Sequence, residues 1–246
     1  MNIGIIGSGG MGKILATKFY QLGHTVSITN SSGGSSLKKI ADEIGAIAST
    51  TEQVVKNSDV IIISIPQKSI SLLNKTLFNE LKKNAVVIET GNYYPTLRDG
   101  AINELDEHGI DSLWVQDQLG IPVIKAFNSI LAESIRDFGA KKGDKNRIAM
   151  PVSGDSSTSK QIVFGLIEEL GFDPFDIGGI LQSWKQQPGS PIYCRDINLH
   201  TIQRRVQNMG TDWLTMREMI IGKRRTDEGL MKADYAEYLK ILQELR

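Results

Sequence analysis

The stretch NIGIIGSGGMGKILATKFYQLGHTVSIT (residues 2–29) decides the fold. It opens on a short apolar run, 2–7. It then passes Gly7, Gly9 and Gly12 at G-x-G-x-x-G spacing and enters a segment of helical period, 11–22. A second β-branched run, 25–29, follows. Strand, tight turn, helix and strand make a βαβ unit. Gly7 permits the turn, Gly9 lets the backbone approach a pyrophosphate, and Gly12 lets the helix lie close on the strand. Ser8, Gly10 and Met11 fill the loop, whose N–H groups stand at a helix N-terminus, where anions bind.

The second strand runs into Asn30-Ser31-Ser32-Gly33-Gly34, and no Asp or Glu occurs between Gly12 and Asp42. A fold that grips NAD usually places an acid here for the ribose hydroxyls, and an acid would repel a 2′-phosphate. Asn30, Ser31 and Ser32 offer donors in its place, which suits NADP(H). Lys38 or Lys39 adds positive charge from the next helix.

Further apolar runs at 59–66, 85–90, 121–127, 147–154 and 172–178 alternate with amphipathic stretches at 35–44, 67–83, 129–137 and 156–170. Over 67–83, Ile70, Leu73, Leu77 and Leu81 form a helical stripe. Continuous apolar strands indicate a sheet covered on both faces, and strand–helix alternation indicates parallel pairing. The expected architecture is α/β: a Rossmann-like, doubly wound, mostly parallel sheet binding NADP over residues 1–180. Residues 181–246 read as a loop and a C-terminal helical appendage, with Trp213, Met216 and Ile220 at helical spacing.

The 246 residues carry 28 basic and 28 acidic side chains, a formal net charge of zero. That removes the usual argument for nucleic acid or an anionic membrane as partner. The cluster Lys223-Arg224-Arg225 reads as a solvated helix end. Cys194 is the single cysteine, and His24, His108 and His200 share no ligand spacing, so no metal site is expected and each histidine reads as surface or packing. The longest apolar run, about Val60 to Ile65, is too short to cross a bilayer. A soluble cytoplasmic protein is expected.

With these motifs placed, the chain resembles the NADP oxidoreductases dependent on coenzyme F420, a deazaflavin, and is similar to the NADPH domain of the six-transmembrane ferric reductases. The segments IGSGGMG (6–12), NSSGG (30–34), IPVIKAFNSILAES (121–134), MPVSGDSSTSKQIVFGLIEELGFDPFDIGGI (150–180) and SWKQQPGSPIY (183–193) carry the resemblance over most of 1–193. It implies NADPH in an extended crevice, with hydride passing to a flat acceptor stacked on the nicotinamide. SIP (64–66) would border the cofactor. TGNYY (90–94) and AFN (126–128) would border nicotinamide and acceptor. Asn128 stands where the archaeal enzymes commonly have His, and Ser32 where the family's loop usually has Arg. A homodimer is implied by the resemblance alone.

Topology puts reacting groups at the carboxyl ends of the strands. This selects Ile65 and Pro66, Gly91, Asn92 and Tyr93, and Ala126, Phe127 and Asn128. Tyr93 and Tyr94 either stack on a ring or pack the loop. Asn128 either fixes a ring carbonyl or caps the helix from Ser129. Gln187 is a candidate for closing the site, and Glu89 reads as buried structure or a loop anchor. Hydride transfer between stacked rings needs orientation more than acid–base groups. The expected function is an NADPH-dependent oxidoreductase acting on a small-molecule redox acceptor, a deazaflavin (F420) or flavin. The alternatives are a reductase of a small imine or carbonyl and a non-enzymatic NADP-binding regulatory module.

Overall fold

The four residues of β4 (Val60–Ile63) are all buried and divide between two cores. Val60 and Ile62 face one; Ile61 and Ile63 face the other. The two-residue period of a strand requires this when both sheet faces are covered. The computed structural model describes residues 1–244, without the side chains of 108, 243 and 244. The reading of His108 as a surface or packing side chain, and the last two residues of the tail, lie outside the described residues.

The other strands are β1 (Asn2–Ile6), β2 (Thr25–Thr29), β3 (Ile47–Ala48), β5 (Val86–Glu89), β6 (Ile124–Lys125), β7 (Ala149–Ser153) and β8 (Asp173–Gly178). They form one sheet in the order β3-β2-β1-β4-β5-β6-β7-β8. Every pairing is parallel except β6 with β7. The chain winds outward from β1 to β3, returns, and winds the other way from β4, so the switch point lies between β1 and β4. The C-terminal ends of β1, β4, β5 and β6 share one edge of the sheet.

Helices α1 (Gly10–Gln21), α2 (Gly34–Ile44), α3 (Thr51–Asn57), α4 (Asn103–His108), α5 (Asp111–Leu119), α6 (Ala132–Asp137) and α7 (Ser157–Glu169) cover the faces. Leu15 and Phe19 of α1 and Val163 and Leu166 of α7 fill the first core. Val54 of α3 and Val115 and Leu119 of α5 fill the second. Each such side chain contributes about 1.5–3 kcal/mol on burial.

The structure corrects three expectations. Residues 67–83 form no continuous helix but two 3-10 turns, Gln67–Leu72 and Lys75–Glu80. Asn74 separates them, its side chain accepting from the Thr76 N–H at 3.0 Å, a local bond that competes with helix. Of the stripe, Ile70 is buried, while Phe78, outside it, fills the same core. Second, α4 and α5 occupy residues 103–119, where no helix is expected from the sequence. Third, Arg224 is 2 % exposed in the middle of a helix, not at a solvated end.

The C-terminal region holds α8 (Leu199–Asn208), α9 (Trp213–Ala233) and α10 (Tyr235–Glu244). Trp213 and Ile220 of α9 pack with Trp184 and Met209, and Met216 lies against them. Glu228 of α9 accepts from the N–H groups of Thr96 and Leu97 at 2.9 and 3.1 Å. Among the described residues, no helix is long and apolar enough to cross a membrane.

Candidate functional site: a cleft at the sheet edge

Three depressions run along the C-terminal edge of the sheet and share residues where they meet. The first, of about 440 Å³, is lined by Ser31, Ser32 and Asn30 on one side and by Thr50, Thr51, Glu52 and Gln53 on the other. The second, of about 510 Å³, shares Asn30 to Ser32 and Thr51 with it and continues past Gly7, Ser8 and Gly9 to Ser64, Ile65 and Pro66. The third, of about 470 Å³, takes over at Gly9 and Ser64 to Pro66. It reaches Gly10, Met11, Thr90, Gly91, Asn92 and Asn128, and ends among Tyr94, Tyr193, Tyr235 and Tyr238.

The glycine turn fits an anionic dinucleotide on three observations. Gly7 has a φ of +116°, and a Cβ there would stand 2.1 Å from the Ser64 carbonyl oxygen, so only glycine fits. A Cβ on Gly12 would stand 2.1 Å from the Gly7 oxygen, whereas Gly9 and Gly10 face open space. The N-terminus of α1 has no side-chain cap and no acid in its first turn, which leaves its dipole and orphan amides to a ligand anion.

Asn30 braces this turn. Its amide donates to Ser8 Oγ at 2.8 Å, and its carbonyl oxygen accepts from the Gly33 N–H at 2.7 Å. Ser31 and Ser32 are exposed beyond it, next to the N-terminus of α3, capped by Thr50. Lys38 pairs with Asp42 at 2.8 Å, and neither Lys38 nor Lys39 lines the cleft.

Below the middle of the cleft lies a buried charge network. Glu89 and Lys125 are register partners on β5 and β6 and form an ion pair at 2.7 Å. Glu89 also accepts from Ser112 Oγ at 2.8 Å and from the Gly91 N–H, while Lys125 Nζ donates to the Gly91 oxygen. The backbone of Gly91 is thus clamped from both sides, and Glu89 is a loop anchor, as its sequence position suggests. Asp111 accepts from the Tyr93 N–H at 3.2 Å. Burial pushes its carboxyl up to about 6, against the opposing pull of Arg224 and Lys125.

Asn128 lines the cleft, but its side chain is held by the protein. Its amide donates to Asn92 Oδ1 at 2.9 Å and to the Gln186 oxygen at 2.7 Å, and its oxygen accepts from Gln186 Nε2 at 3.0 Å. Phe127, at a φ of +65°, a conformation uncommon for a bulky side chain, turns the chain just before it.

Two candidates leave the cleft. Tyr93 is fully buried beneath the Arg224 guanidinium, 4.8 Å from the ring centroid. Its hydroxyl bonds Asp106, the Gly100 oxygen and the Ile102 N–H, so it packs the loop. Gln187 is buried and bonds the Gly109 oxygen and the Asp111 N–H. Its neighbour Gln186 takes the position under Asn128.

The far wall is aromatic. Tyr94 and Tyr193 join hydroxyl to hydroxyl, and burial holds both phenols well above their ordinary range. The Arg98 guanidinium lies 5.6 Å from the Tyr94 ring centroid. Tyr235 and Tyr238 reach this wall from α10. Sequence reasoning missed Lys125, Gln186, Arg98, Tyr193, Tyr235 and Tyr238. The lysine had a signal: a charge inside an apolar strand run. The α10 tyrosines had none.

Residues 2–93 match the family described as NADP oxidoreductase, coenzyme F420-dependent, in agreement with the resemblance read from the motifs. The YjhV protein of Escherichia coli is 40 % identical over 63 residues, 26 % of this chain and 46 % of that protein, so the match spans less than half of that relative. A crystal structure of an uncharacterised Sinorhizobium meliloti protein superimposes with a TM-score of 0.66 at 25 % identity, covering 80 % of this chain and 95 % of that one. A protein from Arthrobacter, described as a candidate F420-dependent NADP reductase, gives 0.59 at 19 % identity over 75 % and 87 %. At that identity the likeness is one of fold.

Proposed function

We propose that this protein is an NADPH-dependent oxidoreductase that passes hydride to a deazaflavin or flavin-like acceptor. The observation that carries the reading is the continuity of the cleft. One groove runs from a serine-lined end, where the loop after β2 carries no acid and Glu52 of α3 stands on the opposite side, past an open glycine turn at a helix N-terminus, to an aromatic wall.

NADPH, when bound, supplies a hydride. The chain's residues bind and orient it. Ser31 and Ser32, with Thr50 and Thr51, offer donors to a 2′-phosphate. Gly9, Gly10 and the α1 amides receive the pyrophosphate. Ile65, Pro66 and the clamped Gly91 shape the nicotinamide end, and the aromatic wall excludes water around the acceptor. Orientation of this kind supplies much of the rate in a hydride transfer.

One observation favours a second reading, a reductase of a small imine or carbonyl. Such a product must gain a proton, and the paired hydroxyls of Tyr94 and Tyr193 stand in the cleft wall with protons to give. Anaerobic NADPH oxidation tests both readings against a panel of 5-deazaflavin, FMN, FAD, riboflavin, quinones, cyclic imines and small ketones. Turnover confined to ring acceptors supports the first. Turnover confined to imines or ketones, with loss of about 10²–10⁴ in Tyr94→Phe, supports the second. No oxidation with any member overturns both.

A further inference from the structure

The end of the cleft is built by the C-terminal helices as well as by the sheet. Only Asp234 separates α9 from α10, and its carboxylate caps α10 by accepting from the Glu237 N–H at 3.0 Å. This corner carries Tyr235 and Tyr238 to the cleft, their rings 6.2 Å apart at 33°. Tyr235 is 55 % exposed; Tyr238 is 3 % exposed.

The hydroxyls differ in how they are satisfied. Tyr94 and Tyr193 serve each other. Tyr93, away from the cleft, has three partners. The Tyr238 hydroxyl is buried and has no hydrogen-bond partner among the described residues, although Tyr238 lines the cleft. A buried hydroxyl left unpaired is costly and uncommon. In a cleft wall, such a group has a use once a ligand arrives.

We infer that Tyr238 is a specificity-determining residue: its hydroxyl bonds a carbonyl or ring nitrogen of a planar conjugated acceptor whose face lies against Tyr235. The inference rests on the hydride-transfer reading and adds to it the role of the C-terminal corner. Tyr235 presents an open aromatic face for stacking, Leu131 and Met231 supply apolar flanks, and one donor fixes the ring's orientation. Burial raises the Tyr238 phenol above its ordinary range, so it keeps its proton and remains a donor at neutral pH.

The test uses the full chain saturated with NADP+, which has no hydride to give, titrated with riboflavin and with 5-deazariboflavin by fluorescence. Tyr238→Phe removes one oxygen. Ring binding is expected to weaken about three- to tenfold, with NADP+ affinity unchanged and the melting temperature equal or higher, because an unpaired hydroxyl is gone. Tyr235→Ala, at an exposed position, should weaken ring binding and leave NADP+ affinity and melting temperature unchanged. The inference is overturned if the native chain binds NADP+ but neither ring, or if Tyr238→Phe binds the rings as the native chain does. Failure of the native chain to bind NADP+ overturns the nucleotide reading itself and the inference with it.

Discussion

Glu89 and Lys125 face each other across neighbouring strands, 2.7 Å apart, with side chains no more than 1 % exposed. The pair lies directly under Gly91, whose N–H and carbonyl oxygen it holds. Removing one member of a buried pair leaves an uncompensated charge and costs about 3–5 kcal/mol. Lys125→Met should therefore lower stability by about that much in urea unfolding. A loss under about 1 kcal/mol would mean that the pair behaves as an exposed one.

Asp111 ties this layer to α9, with Arg224 3.9 Å away. Burial raises its carboxyl from 3.8 to about 6. Below pH 4 both folded and unfolded chains hold the proton; between 4 and 6 the folded chain alone holds it. Stability should therefore fall as pH rises through that window, by up to about 1.4 kcal/mol per unit, and level off above it. Asp111→Asn should remove this component from a series of melting curves between pH 4 and 7. An unchanged profile in the variant would show that Asp111 does not titrate there.

Gly9→Val should leave the chain folded and unable to hold NADPH. The space over Gly9 contains no protein atom, so a side chain disturbs nothing in the free protein and stands where the pyrophosphate approaches. Circular dichroism and nucleotide titration on the same sample read both halves. Native-like spectra with retained binding would make the turn a structural feature only.

Asn128→Ala should slow hydride transfer by no more than about tenfold, the worth of one neutral hydrogen bond. Its amide is engaged by Asn92 and Gln186, so the larger effect should be on stability, about 1–3 kcal/mol for groups left unpaired. Stopped-flow NADPH oxidation measures the first and thermal unfolding the second. A thousandfold loss of rate, in the range of general acid–base catalysis, would rule out a purely positioning role.

The parts legible in the sequence are those whose signal is local. The glycine turn, the acid-free end of β2 and the apolar runs of β1, β2, β4 and β5 each carry their reason within a few residues. The stripe over 67–83 misleads because spacing alone cannot register Asn74, whose side chain bonds the next turn instead of propagating a helix. α4 and α5 were missed although Gly109 and Gly120 close them. Their polar, charged sequences mask an apolar face reduced to a few residues. The site's far wall is illegible for another reason. Tyr94 meets Tyr193 across 99 residues, and Glu228 reaches Thr96 across 132. No periodicity reports such pairs. Arg224 shows the same: among Lys223 and Arg225 it reads as surface, and only the fold places Tyr93 and Asp111 beside it.

The most direct measurement is titration calorimetry of the native chain with NADPH and with NADH under one set of conditions. On the proposed reading Ser31, Ser32 and their neighbours would give donors to a 2′-phosphate, and β2 ends without an acid. Hydrogen bonds to a charged group contribute about 1.5–3 kcal/mol, so NADPH should bind about 10–100-fold more tightly. Equal binding of the two, or tighter binding of NADH, would contradict the assignment of this cleft to NADPH.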